Sequence, residues 1–470
     1  MSRLSPARKV ALDVLMEAER RGAYARDVLS RRASVKALDQ RDAAFASRLA
    51  LGVTATEGTL DQLLDRFLDK PNKVAPRVRM SLRISAFEML YLGTPGRVAV
   101  SQGVELVRAN AKSAAGLANA VLHKVADHLL EFRSAADIDS SDDRDLRLVR
   151  LSRAYGMPIW LCKRLLDAFD GKEGEGFAFA GNLAPAPLAI HVNPRAQISS
   201  SVPAGLVDPV FPGCYAPVDA HTMISSGVFE SAAAVACDLN AQLIATAATR
   251  PGSCLEIGAG RGTKTFVMAC QSLRADFKRS HYALDLHERK CDQNLHRLLR
   301  AGISGIRTIA GDACDLDATL TSLDARSGER VVFDTVFVDA PCSGTGTMRR
   351  HPEIPWRLTE GDVDRTLPAL QLNMLREASR RVARNGELIY ATCSVMHQEN
   401  RDVVRAFLDS REGSRFRVSP LSEASIFELP AYERARDIVR SREDSWGFFQ
   451  SIPRSADAFD GHFAVRLVCA

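Results

Sequence analysis

Two segments of the chain each set a cysteine in a short polar turn: Asp339-Ala340-Pro341-Cys342-Ser343-Gly344-Thr345-Gly346 and Tyr390-Ala391-Thr392-Cys393-Ser394. An isolated cysteine is usually a small buried hydrophobe. These two differ, because each follows a short apolar run with strand character and precedes a serine. A thiolate in such a place can add to carbon 6 of a cytosine. Carbon 5, a poor nucleophile by itself, then becomes an enamine carbon able to attack a methyl sulfonium. A base must remove the carbon-5 proton before the thiolate leaves. A free thiol ionises near a pKa of about 8.5, so cationic neighbours would raise the thiolate fraction. Asp339 is a candidate to bridge to ring nitrogen 3.

A glycine-rich run, Gly258-Ala259-Gly260-Arg261-Gly262-Thr263-Lys264, follows the apolar segment ending at Ile257. Glycines after a strand let the backbone turn tightly and approach a ligand closely. A nucleotide-triphosphate loop needs Gly-Lys-Ser/Thr, but Thr263 stands in the glycine's place. The third glycine of a G-x-G-x-x-G dinucleotide turn is missing. An adenosylmethionine turn tolerates G-x-G-x-G, and a plain strand-to-helix turn remains the alternative. Asp285, at the end of the next apolar run, can accept both ribose hydroxyls of an adenosine cofactor. Asp312, one run further, can accept from the adenine amino group. Either acid alone could be only a helix cap. With Asp339 they make three acids in order, and the cofactor reading gains accordingly.

Met348-Arg349-Arg350-His351-Pro352-Glu353-Ile354-Pro355-Trp356-Arg357 follows the first cysteine. Arg349 and Arg350 suit phosphates, and His351 or Trp356 could stack on a splayed base. A rigid surface loop fixed by two prolines is the alternative.

These residues need elements to hold them. Apolar positions such as Ala11, Val14, Leu15 and Ala18, then Leu60, Leu63, Leu64 and Phe67, then Leu82, Ala86, Met89 and Leu90, recur at helical spacing. Residues 5–132 therefore predict an all-helical domain, assigned to 1–133. The small, acidic stretch 134–145 reads as a linker. A mixed connecting segment spans 146–235, with a helix after Pro158 and a strand over 188–192. From 236 to 470 helix and strand alternate: a helix over 236–247, then strands over 253–257, 281–284, 306–310, 335–338 and 388–391. That alternation predicts a parallel sheet covered on both faces. Ligands bind such sheets outside the carboxyl ends of the strands, where the glycine turn, the three acids and Cys393 all fall.

Composition agrees with several soluble domains in 470 residues. No apolar run is long enough to span a bilayer, and Met1-Ser2-Arg3-Leu4 leads into no signal-like segment, so a cytoplasmic protein is expected. Ten cysteines lie without any C-x-x-C pair, which argues against zinc and against a disulfide framework. Residues 1–135 hold 22 Lys and Arg against 14 Asp and Glu, a net of +8 in a chain of net +5. That excess is either a solvated helical surface or a phosphate-binding one.

The cysteine segments, with Arg349-Arg350-His351-Pro352 between them, resemble the NOP/Sun family of RNA cytosine-5 methyltransferases. Residues 5–130 resemble the helical antitermination factor NusB, through Ser81-Leu82-Arg83-Ile84-Ser85-Ala86-Phe87-Glu88-Met89-Leu90 and Leu117-Ala118-Asn119-Ala120-Val121-Leu122. Asp460-Gly461-His462-Phe463-Ala464-Val465 resembles the family's last strand. The resemblance implies a NusB-like helical domain, a small α+β connecting domain and a Rossmann-like class I methyltransferase domain. It implies Cys393 as nucleophile, with Cys342 assisting release. It implies S-adenosylmethionine contacts from Gly258, Ala259, Gly260, Arg261, Gly262, Thr263, Lys264, Asp285, Asp312 and Asp339. The substrate it implies is RNA, in the NusB-fused members 16S ribosomal RNA or an assembling small subunit, acted on by a monomer without metal.

The family's Cys-Ala-Ala-Pro-Gly-Gly-Lys turn is here Gly258 to Lys264, with Arg261 replacing proline. Its Arg-Val-Asn is His191-Val192-Asn193, which makes Asn193 a candidate RNA contact. Asp238 and Gln242 resemble the Asp and Gln of its preceding helix. Two other classes compete: an RNA-binding assembly or antitermination module with vestigial catalysis, and a nucleotide hydrolase. The intact cysteine pair argues against the first, and the missing Gly-Lys-Ser/Thr against the second.

Overall fold

Proline and glycine set the ends of the first long helix in a computed structural model of the chain. Pro6 sits in the first turn, where a missing N–H costs nothing, and Gly22 closes the helix at φ 59°. The structure describes residues 4–134, 143–169, 186–196, 209–217, 219–455 and 457–470. Most of the predicted linker (135–142) and the first three residues lie outside these.

Helices Pro6–Arg21, Gln40–Ala55, Glu57–Asp65, Pro76–Leu90, Gly96–Asn110 and Ala115–Asp127 follow in order. The residues that set the helical period, among them Val14, Leu60, Leu63, Leu82 and Met89, meet in one core. Helix Pro76–Leu90 is covered nearly all round, so its polar Glu88 is buried and takes the Arg8 guanidinium at 2.8 Å. Gly52 is required beside it, since a Cβ there would stand 2.0 Å from the Phe87 ring. Helices Arg144–Tyr155 and Ile159–Ala168 belong to this helical unit, and so does the distant segment Met348–Glu360.

The second unit comprises Ala186–Thr347 and Gly361–Ala470. A small sheet joins β1 (Ile190–Val192), β2 (Cys214–Tyr215) and β3 (Ala234–Ala236), all antiparallel. The helix expected over 236–247 starts at Leu239, because the Asp238 carboxylate caps it through the Asn240 N–H, and Ala236 belongs to β3. The large sheet contains β4 (Gly252–Ile257), β5 (Arg279–Asp285), β6 (Ile306–Ala310), β7 (Phe333–Asp339), β8 (Val382–Thr392), β9 (Phe416–Ser419), β10 (Phe449–Ser451) and β11 (His462–Cys469). Its order is β10-β11-β8-β7-β4-β5-β6, with β9 also paired to β11.

The five strands β4 to β8 are parallel, as the helix–strand alternation predicts. β9, β10 and β11 pair antiparallel, so the sheet is mixed rather than wholly parallel. The chain runs outward from β4 through β5 to β6 and returns to β7 on the other side of β4. That reversal opens a crevice at the carboxyl ends of β4 and β7.

Arg381, just before β8, is fully buried and joins elements far apart in the chain. It bonds both carboxylate oxygens of Asp324, one of Asp317, and the carbonyls of Val331 and Leu316. Replacing it with Met should lower the unfolding free energy of this unit by about 3 kcal/mol, at the low end for a buried pair because its two acids are partly exposed. Urea denaturation checks this. A midpoint equal to wild type would show that the network adds nothing net.

Among the described residues, no helix is long and apolar enough to cross a membrane, and no group of three His, Cys, Asp or Glu is placed to hold a metal.

Candidate active site

Every strand of the parallel set delivers a polar group to the same rim. β4 runs into the glycine turn, in which Gly258, Gly260 and Gly262 all have positive φ. Gly258 is required by close approach as well, since a Cβ there would lie 2.2 Å from the Asp339 carbonyl oxygen. The N–H of Gly260 donates to Asp285 at 2.9 Å, so the turn and the end of β5 are tied together. The other Asp285 oxygen accepts from the His287 N–H. An ionised carboxylate has about four acceptor positions, which leaves room for two ribose hydroxyls. Asp312 is exposed beyond β6 and accepts from the Cys314 N–H at 2.8 Å. Arg261 is exposed, and Thr263 accepts from Arg297. The turn is thus an open backbone cradle flanked by acids, the form an adenosine cofactor needs.

Lys264 leaves this turn in the first turn of helix Thr263–Arg274, and its ammonium meets Asp339 at 2.7 Å. Burial alone would lower its pKa, but the Asp339 carboxylate outweighs that and holds it above the ordinary lysine range. The sequence reading placed Lys264 in the cofactor turn; the structure also brings its charge close to Cys393.

Cys342 and Cys393 face each other with their sulfurs 3.4 Å apart. Seven of the ten cysteines are buried, whereas these two and Cys314 are partly accessible. Their ionisations are pushed apart. The S–H of Cys342 donates to Cys393 and holds the Cys393 thiol below its ordinary range against burial, with the Lys264 ammonium adding to the effect. The same hydrogen bond, burial, and the charges of Cys393 and Glu399 push Cys342 far up. Of the two sulfurs, Cys393 is therefore the one that ionises more readily, and Cys342 the one that keeps its proton.

Replacing Lys264 with Gln removes a cation that lowers the Cys393 pKa, so the thiolate fraction should fall below that of wild type at neutral pH. Cys393 alkylation by iodoacetamide should slow about tenfold near pH 7 and recover at alkaline pH. An unchanged pH profile would separate Lys264 from the thiolate.

Sequence reasoning missed the groups beneath the cysteines. Glu399 is fully buried and accepts from the Ser343 N–H at 2.7 Å, the Ser343 hydroxyl, the Ser394 hydroxyl at 2.6 Å and the Gln371 amide at 3.1 Å. Asn400 accepts from Thr392 and donates to the Ser394 carbonyl. In the sequence, Glu399-Asn400 reads only as the start of the helix Arg401–Leu408.

Two candidate RNA contacts have partners within their own units. Asn193 is buried, its amide donating to the Ala301 carbonyl and accepting from the Arg195 N–H, so it braces its own unit. Trp356 packs within the helical unit: its indole N–H donates to the Ala55 carbonyl at 2.9 Å, and its ring lies where a Cβ on Gly58 would be. The same segment sends Glu353 to the Ala25 N–H, and the His351 ring sits 5.1 Å from Tyr24. Arg349 is buried, and the Arg350 carbonyl accepts from Arg26.

Five parallel strands with a glycine turn at their switch point, acids at successive strand ends and a cysteine pair beside them have the form of an S-adenosylmethionine-dependent methyltransferase. Residues 245–454 match the family model described as 16S rRNA methyltransferase RsmB/F, and residues 5–127 match that of the NusB family. The chain is 31% identical over 407 residues to ribosomal RNA small subunit methyltransferase B of Thermus thermophilus, covering 86% of this chain and 88% of that one. It belongs to the RsmB/F family of 16S rRNA methyltransferases. Among solved structures, that of PH0851 superposes with a TM-score of 0.72 over 99% of both chains at 18% identity. NSun6 from Pyrococcus horikoshii with SFG gives 0.50 over 66% of this chain and 98% of that one, at 15% identity. These two likenesses show the fold; the resemblance to 16S rRNA methyltransferases with a NusB-like domain is borne out by the two family models and the Thermus relative.

Proposed function

We propose that this enzyme transfers a methyl group to carbon 5 of a specific cytidine in 16S rRNA through a covalent bond between Cys393 and carbon 6, with Cys342 assisting product release. The observation that carries the proposal is the pair of sulfurs 3.4 Å apart whose ionisations are driven in opposite directions.

S-adenosylmethionine supplies the methyl group as a sulfonium. The turn 258–264 with Asp285, Asp312 and Asp339 is the cradle that would hold it. The Cys393 thiolate, favoured by the Cys342 S–H and the Lys264 ammonium, attacks carbon 6 of a base drawn out of its stack. Asp339, held by Lys264, lies on the same rim to steady the ring at nitrogen 3. Once carbon 5 carries the methyl group, a general base takes its proton, Cys393 leaves as a thiolate and the aromatic base is regenerated, with Cys342 beside the leaving sulfur to donate its S–H. The helical unit, with its excess of Lys and Arg, supplies RNA affinity.

Incubation with unmodified 16S rRNA, and separately with assembling small subunits, tests this reading by nucleoside analysis of the product. One 5-methylcytidine at a single position is expected. Methylation at another atom or base, or none on either substrate, would remove it.

A further inference from the structure

The two cysteine turns belong to different strands, β7 and β8, yet both lead to Glu399. It takes the backbone and hydroxyl of Ser343, which follows Cys342, and the hydroxyl of Ser394, which follows Cys393. Gln371 supplies a fourth donor and also bonds the Pro341 carbonyl. A carboxylate is the side chain with enough acceptor positions for four donors. Completing the clamp, the Gly346 N–H donates to the Cys393 carbonyl at 2.9 Å, and the Tyr390 hydroxyl donates to the Glu399 carbonyl at 2.6 Å.

We propose that Glu399 is a positioning residue for the two-cysteine reaction, holding the Cys342 and Cys393 turns in one register and keeping a negative charge close to the Cys342 sulfur. This rests on the two-cysteine reading given above. Two separable effects follow. The hydrogen bonds fix the sulfur–sulfur distance through which Cys342 donates to Cys393. The charge raises the pH at which the sulfurs ionise, Cys342 above all because no cation offsets it there. Lys264 and Asp339 act on Cys393, with His462 behind them on β11; Glu399 acts on both sulfurs, with Tyr390 beside it. Cys393 thus has a cation to offset the acids around it, and no cation acts on Cys342 among its principal influences.

Glu399→Gln keeps the shape and removes the charge, whereas Ser394→Ala keeps the charge and removes one arm of the clamp. Site-resolved iodoacetamide alkylation, followed by mass spectrometry on the full chain, reads each effect without RNA. In a Cys393→Ala background, Glu399→Gln should lower the pH of half-maximal Cys342 alkylation by about one unit. In otherwise unaltered protein, Ser394→Ala should raise the corresponding pH for Cys393, because the Cys342 S–H is no longer held in place. With RNA, Glu399→Gln should change the lifetime of the covalent adduct about tenfold and leave KM for RNA within about twofold, a split that general loss of packing would not produce.

Should Glu399→Gln fail to fold, Ser394→Ala decides. Alkylation profiles unmoved in every folded variant overturn the proposal. Shifted profiles in a protein that forms no adduct on any RNA would uphold Glu399's hold on the thiols while removing the two-cysteine reaction.

Discussion

Cys393→Ala should leave a folded protein that forms no covalent RNA adduct and transfers methyl groups at least about 10⁴-fold more slowly than wild type. The size of the loss follows from chemistry: without a thiolate at carbon 6, carbon 5 of cytosine has no enamine character and cannot attack a sulfonium at a useful rate. The fold should tolerate the change. Cys393 is only partly buried, and its backbone carbonyl keeps its bond from the Gly346 N–H whatever the side chain. Cofactor binding should persist too, because Asp285 and the glycine turn are tied to each other by the Gly260–Asp285 bond and not through the sulfur. A Cys393→Ala protein that still carried RNA through denaturing electrophoresis would move the nucleophile elsewhere.

Cys342→Ala should have the opposite appearance. The adduct should form and then persist, so that protein accumulates bound to RNA while turnover falls by about 10²- to 10⁴-fold. The same substitution removes the S–H that donates to Cys393. That hydrogen bond is the largest influence lowering the Cys393 pKa, so its loss raises that pKa. The thiolate fraction at neutral pH then drops, and adduct formation should shift to higher pH than in wild type. Trapping at alkaline pH with slower trapping near neutrality is therefore the signature of Cys342. Normal turnover would contradict a role in release, and trapping with an unchanged pH profile would contradict the hydrogen bond.

Much of this site was legible in the sequence because a parallel sheet converts chain order into geometry. An apolar run followed by a polar residue is a strand end, and Ile257, Asp285, Ala310, Asp339 and Thr392 mark one rim whatever the lengths of the helices between them. The helical domain was legible for a similar reason, its apolar period repeating over several turns. The antiparallel strands were harder. β9 and β10 are four and three residues long, too short for alternation to stand out, and the last strand was read only from the family resemblance of Asp460 to Val465.

Side-chain partnership was least legible. Lys264 is 75 residues from Asp339, and no local pattern couples them. Glu399 looks like any acid at the start of a helix, and its burial comes from four donors on three separate segments. Trp356 and Asn193 show the converse, since each has a partner within its own unit that the sequence does not reveal. Their types suit RNA recognition, but type does not reveal whether a side chain faces solvent or its own unit.

The central claim is the bond between Cys393 and carbon 6. The most direct measurement is mass spectrometry of the adduct trapped by the Cys342→Ala protein on unmodified 16S rRNA with S-adenosylmethionine, after digestion of both protein and RNA. The expected species is the peptide containing Cys393 joined to a cytidine that already carries one extra methyl group. An adduct on any other residue, or a Cys342→Ala protein that methylates 16S rRNA without passing through one, would contradict the account.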